Sequence, residues 1–490
     1  MRIIIACTFI MLIAGHALAS THYVPDDFPT IQAAIDSSAV VNGDTVIVRA
    51  GTYVENINFL GKAITIRSEL GPDFTVIDGK NGVYPNLSVV TFENGEGLDS
   101  VIDGFTITNG EGYITFLGDS LGGGIFCFQA SPTIKNNIVC HNELQKFTGG
   151  WTSGGGIYCN QAALIENNII HSNSVGGKGS GGGLGCGGSC RIENNIINNN
   201  SAGYGGGGGI ACSGFAVIEG NMLYGNTDCG ISCRDFSTLT NNTLFGNFGP
   251  GIRVSQFTAQ PEIKNTILWN NNGPEIELAG PGAKPVVTYC DIQGGWPGTG
   301  NIDADPLFKN PGLDDFHLTW LSPCINRGIN SGGVTLRDID GDPRPYMGTV
   351  EMGADEFGGT HALGADPFSI SAATGGYVDL YLFGGAPGGG RNYVVLGTVS
   401  GTAPGTPLPG GKVTLPLNWD PFTNIMLGLL NTPVFQNFMG KLSWGSSTSW
   451  AHFDTLGPMP GTVGLTVSFA FALHDPWDLV SNPINIGIVP

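Results

Sequence analysis

Three carboxylates stand at alternate positions in Asp338-Ile339-Asp340-Gly341-Asp342, and three more recur at a longer interval as Glu166, Glu193 and Glu219. Closely set oxygen ligands around a glycine resemble the start of a calcium loop, although Gly341 falls at the fourth place and no glutamate closes a twelve-residue loop. Ca²⁺ at Asp338, Asp340 and Asp342 is therefore one expectation, set against a turn whose carboxylates bond local amides and Arg344. The glutamates pose the same choice, between a cation column and a solvated outer face shared with Lys135, Thr240 and Lys264. His141 and His171 are expected near that face without an evident partner.

Aromatic residues supply a second kind of chemistry. Phe126 and Phe128 flank Cys127, Tyr158 precedes Cys159, and Trp151 lies in the connection between them. Strand alternation sends Phe126, Phe128 and Tyr158 to the face opposite the cysteines. Exposed rings beside amide-rich turns suit sugar rings, whose C–H faces stack while hydroxyls find polar partners. The alternative is that the connections 113–120 and 143–153 fold over the rings and bury them.

These residues are positioned by a repeat. One phrase is written six times, starting at Ile134, Ile165, Ile192, Ile218, Leu239 and Ile263 and ending on Asn142, Asn173, Asn200, Asn226, Asn247 and Asn271. Its other half is a glycine run entering a short apolar strand, as in Gly122-Gly123-Gly124-Ile125-Phe126-Cys127 and Gly154-Gly155-Gly156-Ile157-Tyr158-Cys159. Phrases this short and this rich in Gly and Asn exclude helical repeats, and the leucine-rich pattern is missing. What remains is a parallel β-helix, whose coils are short strands stacked at about 4.8 Å.

Stacking turns the repeat into columns. Asn136, Asn167, Asn194 and Asn241 fall in one, interrupted by Gly220, and Asn137, Asn168, Asn195, Asn221 and Asn242 in the next. Asparagine tolerates turn backbone angles and its amide bonds to amides above and below, so both columns are expected to be structural. Cys127, Cys159, Cys186, Cys212 and Cys233 form an expected inward stack of small apolar side chains. Disulfides are open between neighbours in that column and between the local pairs Cys186 with Cys190 and Cys229 with Cys233, with buried free thiols the alternative.

The chain has 490 residues, 79 of them glycine, and a net charge of −20 with only 12% charged residues. It offers no basic patch for nucleic acid. Arg2, the apolar run to Gly15 and Ala17-Leu18-Ala19 form an expected export signal over 1–19, which places the mature chain in the periplasm, outside the cell or on its surface. No later segment reaches the length of a membrane span. A monomer is the expectation.

Thr30 is an expected helix cap, with Ile31, Ala34 and Ile35 on one face of a helix that closes the first coil. The strands that follow, over 44–48, 51–53, 63–67 and 75–79, resemble the opening of right-handed β-helix proteins of the pectin-lyase-like superfamily. The Gly-Gly-Gly-Ile and Asn-Asn phrases look like the repeats of bacterial surface β-helices. Asp338 to Arg344, followed by Gly353-Ala354-Asp355-Glu356, is similar to the terminal segment of secreted bacterial β-helix proteins. Residues 367–490 alternate as strands separated by Gly and Pro turns, consistent with a small antiparallel β-sandwich in the style of modules appended to large secreted bacterial proteins.

The expected architecture is thus all-β: a right-handed parallel β-helix solenoid over 20–310, a cap segment over 311–357, a linker over 358–366 and a sandwich over 367–490. The superfamily resemblance implies polysaccharide chemistry. The residue sets of pectin methylesterases and polygalacturonases are nevertheless missing, and the nearest approach to a pectate lyase is the Glu166, Glu193 and Glu219 column with Arg191, Arg234 and Arg253. The expected role is binding to, or display on, a polysaccharide or cell-envelope glycan. A lyase or hydrolase working in a groove between residues 110 and 180 is the first alternative, and a passive spacer the second.

Overall fold

The computed structural model describes residues 19–80, 87–115, 118–144, 150–177, 179–203, 206–256, 259–319, 322–330, 336–342, 344–345, 349–357, 362–383, 390–442, 449–481 and 483–490. Residues 1–18 of the expected export signal lie outside them. The solenoid is built of three parallel sheets, which carry 11, 10 and 9 strands. The first sheet runs from Thr21–Val24 to Val286–Thr288, the second from Gly51–Val54 to Asp291–Ile292 and the third from Ile57–Asn58 to Ile276–Leu278. Each repeat phrase crosses the first and second sheets, and each glycine run enters the third. Their inward side chains, Ile125, Ile134 and Val139 in one coil and Ile157, Ile165 and Ile170 in the next, merge into one continuous apolar core.

The glycine run has a steric cause. Gly154 sits at φ +73°, a conformation that a side chain disfavours. Its neighbour Gly155 needs no such angle, but a Cβ there would lie 2.4 Å from the Gly182 carbonyl oxygen of the next coil. Stacked backbones replace side chains at this corner, so the third sheet can follow the turn directly.

The two asparagine columns have different duties. In the inner one, Asn168 Oδ1 accepts from the backbone N–H of Asn137 at 3.0 Å and from its Nδ2 at 3.1 Å, and the pattern repeats through Asn195, Asn221 and Asn242. A second buried ladder joins Asn142, Asn173, Asn200, Asn226, Asn247 and Asn271. The outer column does not stack in this way. Asn136, Asn167, Asn194 and Asn241 supply positive φ at the turn, with Gly220 replacing them at φ +68°, and several reach to other segments.

Thr30 caps the first helix, Ile31–Asp36, and its side chain accepts from the Ala33 N–H. Ile31, Ala34 and Ile35 join the solenoid core, so the first coil is closed as expected. At the other end, residues 305–357 return along the outside. Phe308 and Phe316 pack on Tyr224 and Phe245 of the second sheet. Below them the terminal motif is a buried polar knot: Arg344 Nη2 donates to the Ala354 carbonyl at 2.6 Å, and its Nε lies 3.3 Å from Glu356.

The C-terminal region forms a four-stranded and a six-stranded sheet that share a separate core. All neighbouring strands are antiparallel except Ser369–Ser371 with Ile484–Val489. Ala362–Asp366, expected as linker, is a strand paired with Tyr377–Phe383, because its short apolar alternation completes the sheet edge. A helix, Pro421–Gly428, was not anticipated. Its signal is Asp420-Pro421-Phe422-Thr423, a capping box with proline at the first helical position.

All ten described cysteines are buried free thiols, so neither the column nor the local pairs are bridged. Within the column the Cys212 and Cys233 sulfurs stand 3.5 Å apart. Among the described residues no helix is long and apolar enough to cross a membrane.

Candidate functional site

The outward column of the third sheet carries the aromatic residues. Thr91, Phe126, Tyr158, Gly185, Ala211, Ser232, Arg253 and Glu277 follow one another in register across eight coils. Phe126 is not exposed: Tyr113 stacks on it at 4.5 Å with the planes 3° apart, and Phe128 and Tyr158 stand at 6.0 Å on either side. It is left only 1% accessible. The connections do fold over this ring, as a small sheet of Tyr113–Ile114, Ser120–Leu121 and Thr152–Ser153.

Beyond Tyr158 the column shrinks, and a cleft opens. It measures about 290 Å³ and its lining includes Ala211. Asp119, Leu121, Trp151 and Ser153 line one part, Gly187, Ser213 and Arg234 another, and Tyr158 closes an end. Trp151 is held by its backbone N–H, which donates to Asp119 at 2.8 Å, while the indole stays 69% exposed. Burial raises the Tyr158 phenol above its ordinary value and keeps it a neutral hydroxyl. Among the described residues no carboxylate pairs with Arg234, whereas Arg253 is bound between Asp228 at 2.7 Å and Glu277 at 2.5 Å. Phe128, 39% exposed, stands beyond the stack and does not line this cleft. The polar groups here are serine hydroxyls and two charges; the asparagine amides expected to serve are committed to the ladders.

The glutamate column is in register as expected, Glu166 beside Glu193 and Glu193 beside Glu219. It is not a solvated face. Residues 336–341 return beside Glu166 and Glu193, Glu219 is only 2% exposed, and Glu193 takes Arg191 Nε at 2.6 Å. Glu166 is half-buried, and burial raises its pKa, with Lys135 opposing and Glu193 adding to the rise. Glu166, Glu193, Asp338 and Asp340 line one cleft of about 710 Å³ on this side of the molecule. His141 and His171 lie elsewhere, on the second sheet and its turn, with ring centroids 5.7 Å apart.

Asp338, Asp340 and Asp342 do not converge as the calcium expectation required. Asp338 Oδ1 accepts from the amides of Asp340 at 3.0 Å and Asp342 at 2.7 Å, and Oδ2 accepts from Glu356 at 2.9 Å. Its oxygens are used in shaping the loop, and Asp342 is exposed. Asp340 turns instead to His317, whose Nε2 is 2.7 Å away, while Asp315 holds Nδ1 at 2.5 Å. The Asp340 carboxylate chiefly raises the His317 pKa, to about 10, against the opposing effect of burial. His317 was missed in the sequence because its partners come from three segments, although Asp315-Phe316-His317 hints at an oriented imidazole.

A family model described as a right handed β-helix region matches residues 155–303. Comparison with curated proteins finds no match. Among solved structures, a pectin methylesterase in complex with a hexasaccharide is similar at a TM-score of 0.31 and 10% identity, covering 61% of this chain and 98% of that one. A likeness at that level bears on neither activity nor ligand. The stacked parallel sheets and the family match together identify the solenoid as a right-handed parallel β-helix.

Proposed function

We propose that the protein binds a glycan of a polysaccharide or cell envelope in the cleft of the third sheet, as an exported, non-catalytic platform. The observation that carries this is the pairing of Trp151 and Tyr158 with Asp119, Arg234 and Ser213 around one small opening. An exposed indole and a phenol offer flat apolar faces, and the charged and hydroxyl groups can read the ring's edge. The coil column continues along the same axis through Ser232 and Arg253, a length that would suit an extended chain.

Retention of the full chain on a panel of uronate and neutral polysaccharides tests the proposal, with Trp151→Ala expected to weaken binding about tenfold, or ~1.4 kcal/mol. Retention that is unchanged in Trp151→Ala would remove the cleft from consideration. New reducing or unsaturated ends in the incubated glycan would favour the lyase or hydrolase reading.

A further inference from the structure

The cap segment brings together groups that the glycan reading does not use. His317 on the strand Asp315–Leu318, Asp340 in the loop 336–342 and Asp355 in the terminal motif each offer a ligand atom, all within 4.8 Å of one another. Asp315 binds Nδ1 of the imidazole and so points Nε2 at the other two, the usual arrangement of a carboxylate behind a metal-bound histidine. Asp355 is an independent sign. Only 5% exposed, it accepts the Leu318 N–H on Oδ2 at 2.7 Å, and its other oxygen has no donor among the described residues.

We propose that His317, Asp340 and Asp355 bind one divalent transition-metal ion, with Asp315 as the positioning residue. One imidazole nitrogen and two carboxylate oxygens suit zinc or its neighbours better than calcium, which prefers six or more oxygens. Zinc ligands stand about 2.0–2.2 Å from the ion, so His317 Nε2 and Asp340 Oδ2, now 2.7 Å apart, would part to admit it. Asp340 also lines the cleft beside Glu166, so the cluster borders that cleft on one side. Bound there, the ion would fasten three returning segments of the cap to one point. The site is independent of the cleft on the third sheet and stands or falls separately.

The test is calorimetric titration of the chelator-treated full chain with ZnCl₂, and with CaCl₂ in parallel. One zinc per chain is expected, with a raised Tm and weaker or no calcium binding. Asp315→Asn should lower zinc affinity about 10–100-fold, Asp355→Asn should abolish it, and Asp342→Asn should leave it unchanged. Should Asp355→Asn fail to fold, the wild-type chain decides alone: zinc is expected to shift the imidazole ¹H–¹⁵N signals of His317 but not those of His141 or His171. No zinc heat, zinc binding that leaves the His317 imidazole signals unmoved, or binding that survives Asp355→Asn would each overturn the proposal.

Discussion

Asn241 Nδ2 donates to the Glu351 carbonyl oxygen at 2.8 Å, joining a turn of the solenoid to a segment 110 residues further along the chain. The neighbouring coil repeats the clamp, since Asn265 donates to Ile329 O at 3.1 Å and accepts from the Ile329 N–H at 2.8 Å. The outer asparagine column therefore has a double use: its backbone makes the turn, and its amides receive the returning cap.

The double use can be separated by two substitutions. Asn241 has φ +53°, so Asn241→Gly removes the amide without straining the turn, whereas Asn241→Ala also strains the left-handed backbone by about 1–2 kcal/mol. Urea unfolding is expected to show a loss of about 1–3 kcal/mol for the glycine variant and a larger one for alanine. Limited proteolysis should cut 305–357 faster in both.

The inner ladder should be far less forgiving. Asn195 accepts from Asn168 N at 2.9 Å and Nδ2 at 3.0 Å, and donates to Ile165 O at 2.9 Å. Asn195→Ala leaves several buried groups unpaired at once, so a loss of roughly 3 kcal/mol or more is expected in denaturant unfolding. The exposed Asn272, used as a control, should change by no more than about 0.5 kcal/mol on Asn272→Ala.

Glycine at the coil corner is required by contact with backbone, which cannot step aside. Gly155→Ala would place its Cβ 2.8 Å from Ser174 O as well as against Gly182 O. Overpacking of this kind costs about 1–3 kcal/mol, and the thermal midpoint should fall accordingly. Gly97→Ala, where nothing lies within 4 Å, should be nearly silent in the same melt.

Glu275 ends the second ladder: its oxygens accept from Asn271 Nδ2 at 2.6 Å and Asn271 N at 3.2 Å. Burial nevertheless outweighs these bonds and pushes its pKa from 4.5 to about 7. The folded chain thus holds this proton where the unfolded chain has lost it. Stability contributed here is full below about pH 4.5, falls as the pH rises to about 7 and is flat above that. Glu275→Gln should remove that slope from a series of urea midpoints between pH 4.5 and 8; an unchanged slope would show that Glu275 is not its source.

Much of the solenoid was legible because a repeat exposes its own geometry. A residue that returns at every coil must occupy a column, and the type of residue then names the duty: Asn137 a buried ladder, Cys127 an inward filler, Gly154 a left-handed corner. Local capping made Thr30 readable in the same way, and the box at Asp420 carries an equal signal within a stretch of strand-like alternation. Neither needs knowledge of distant residues.

What folds back over the columns could not be read from them. Phe126 alternates outward like Tyr158, yet only one of the two lies beneath Tyr113. Glu219 repeats the position of Glu166, yet Glu219 is buried while Glu166 lines a cleft with the loop 336–341. Asp340 stands two residues from Asp338 and still faces His317, because backbone amides already occupy the Asp338 carboxylate. The sequence by itself determined the coil, its corners and its ladders, since those follow from interactions repeated between neighbouring coils. Which outward residues are buried, paired or left facing a cleft is set only in the tertiary structure, since it depends on which loops and returning segments fold back over each column.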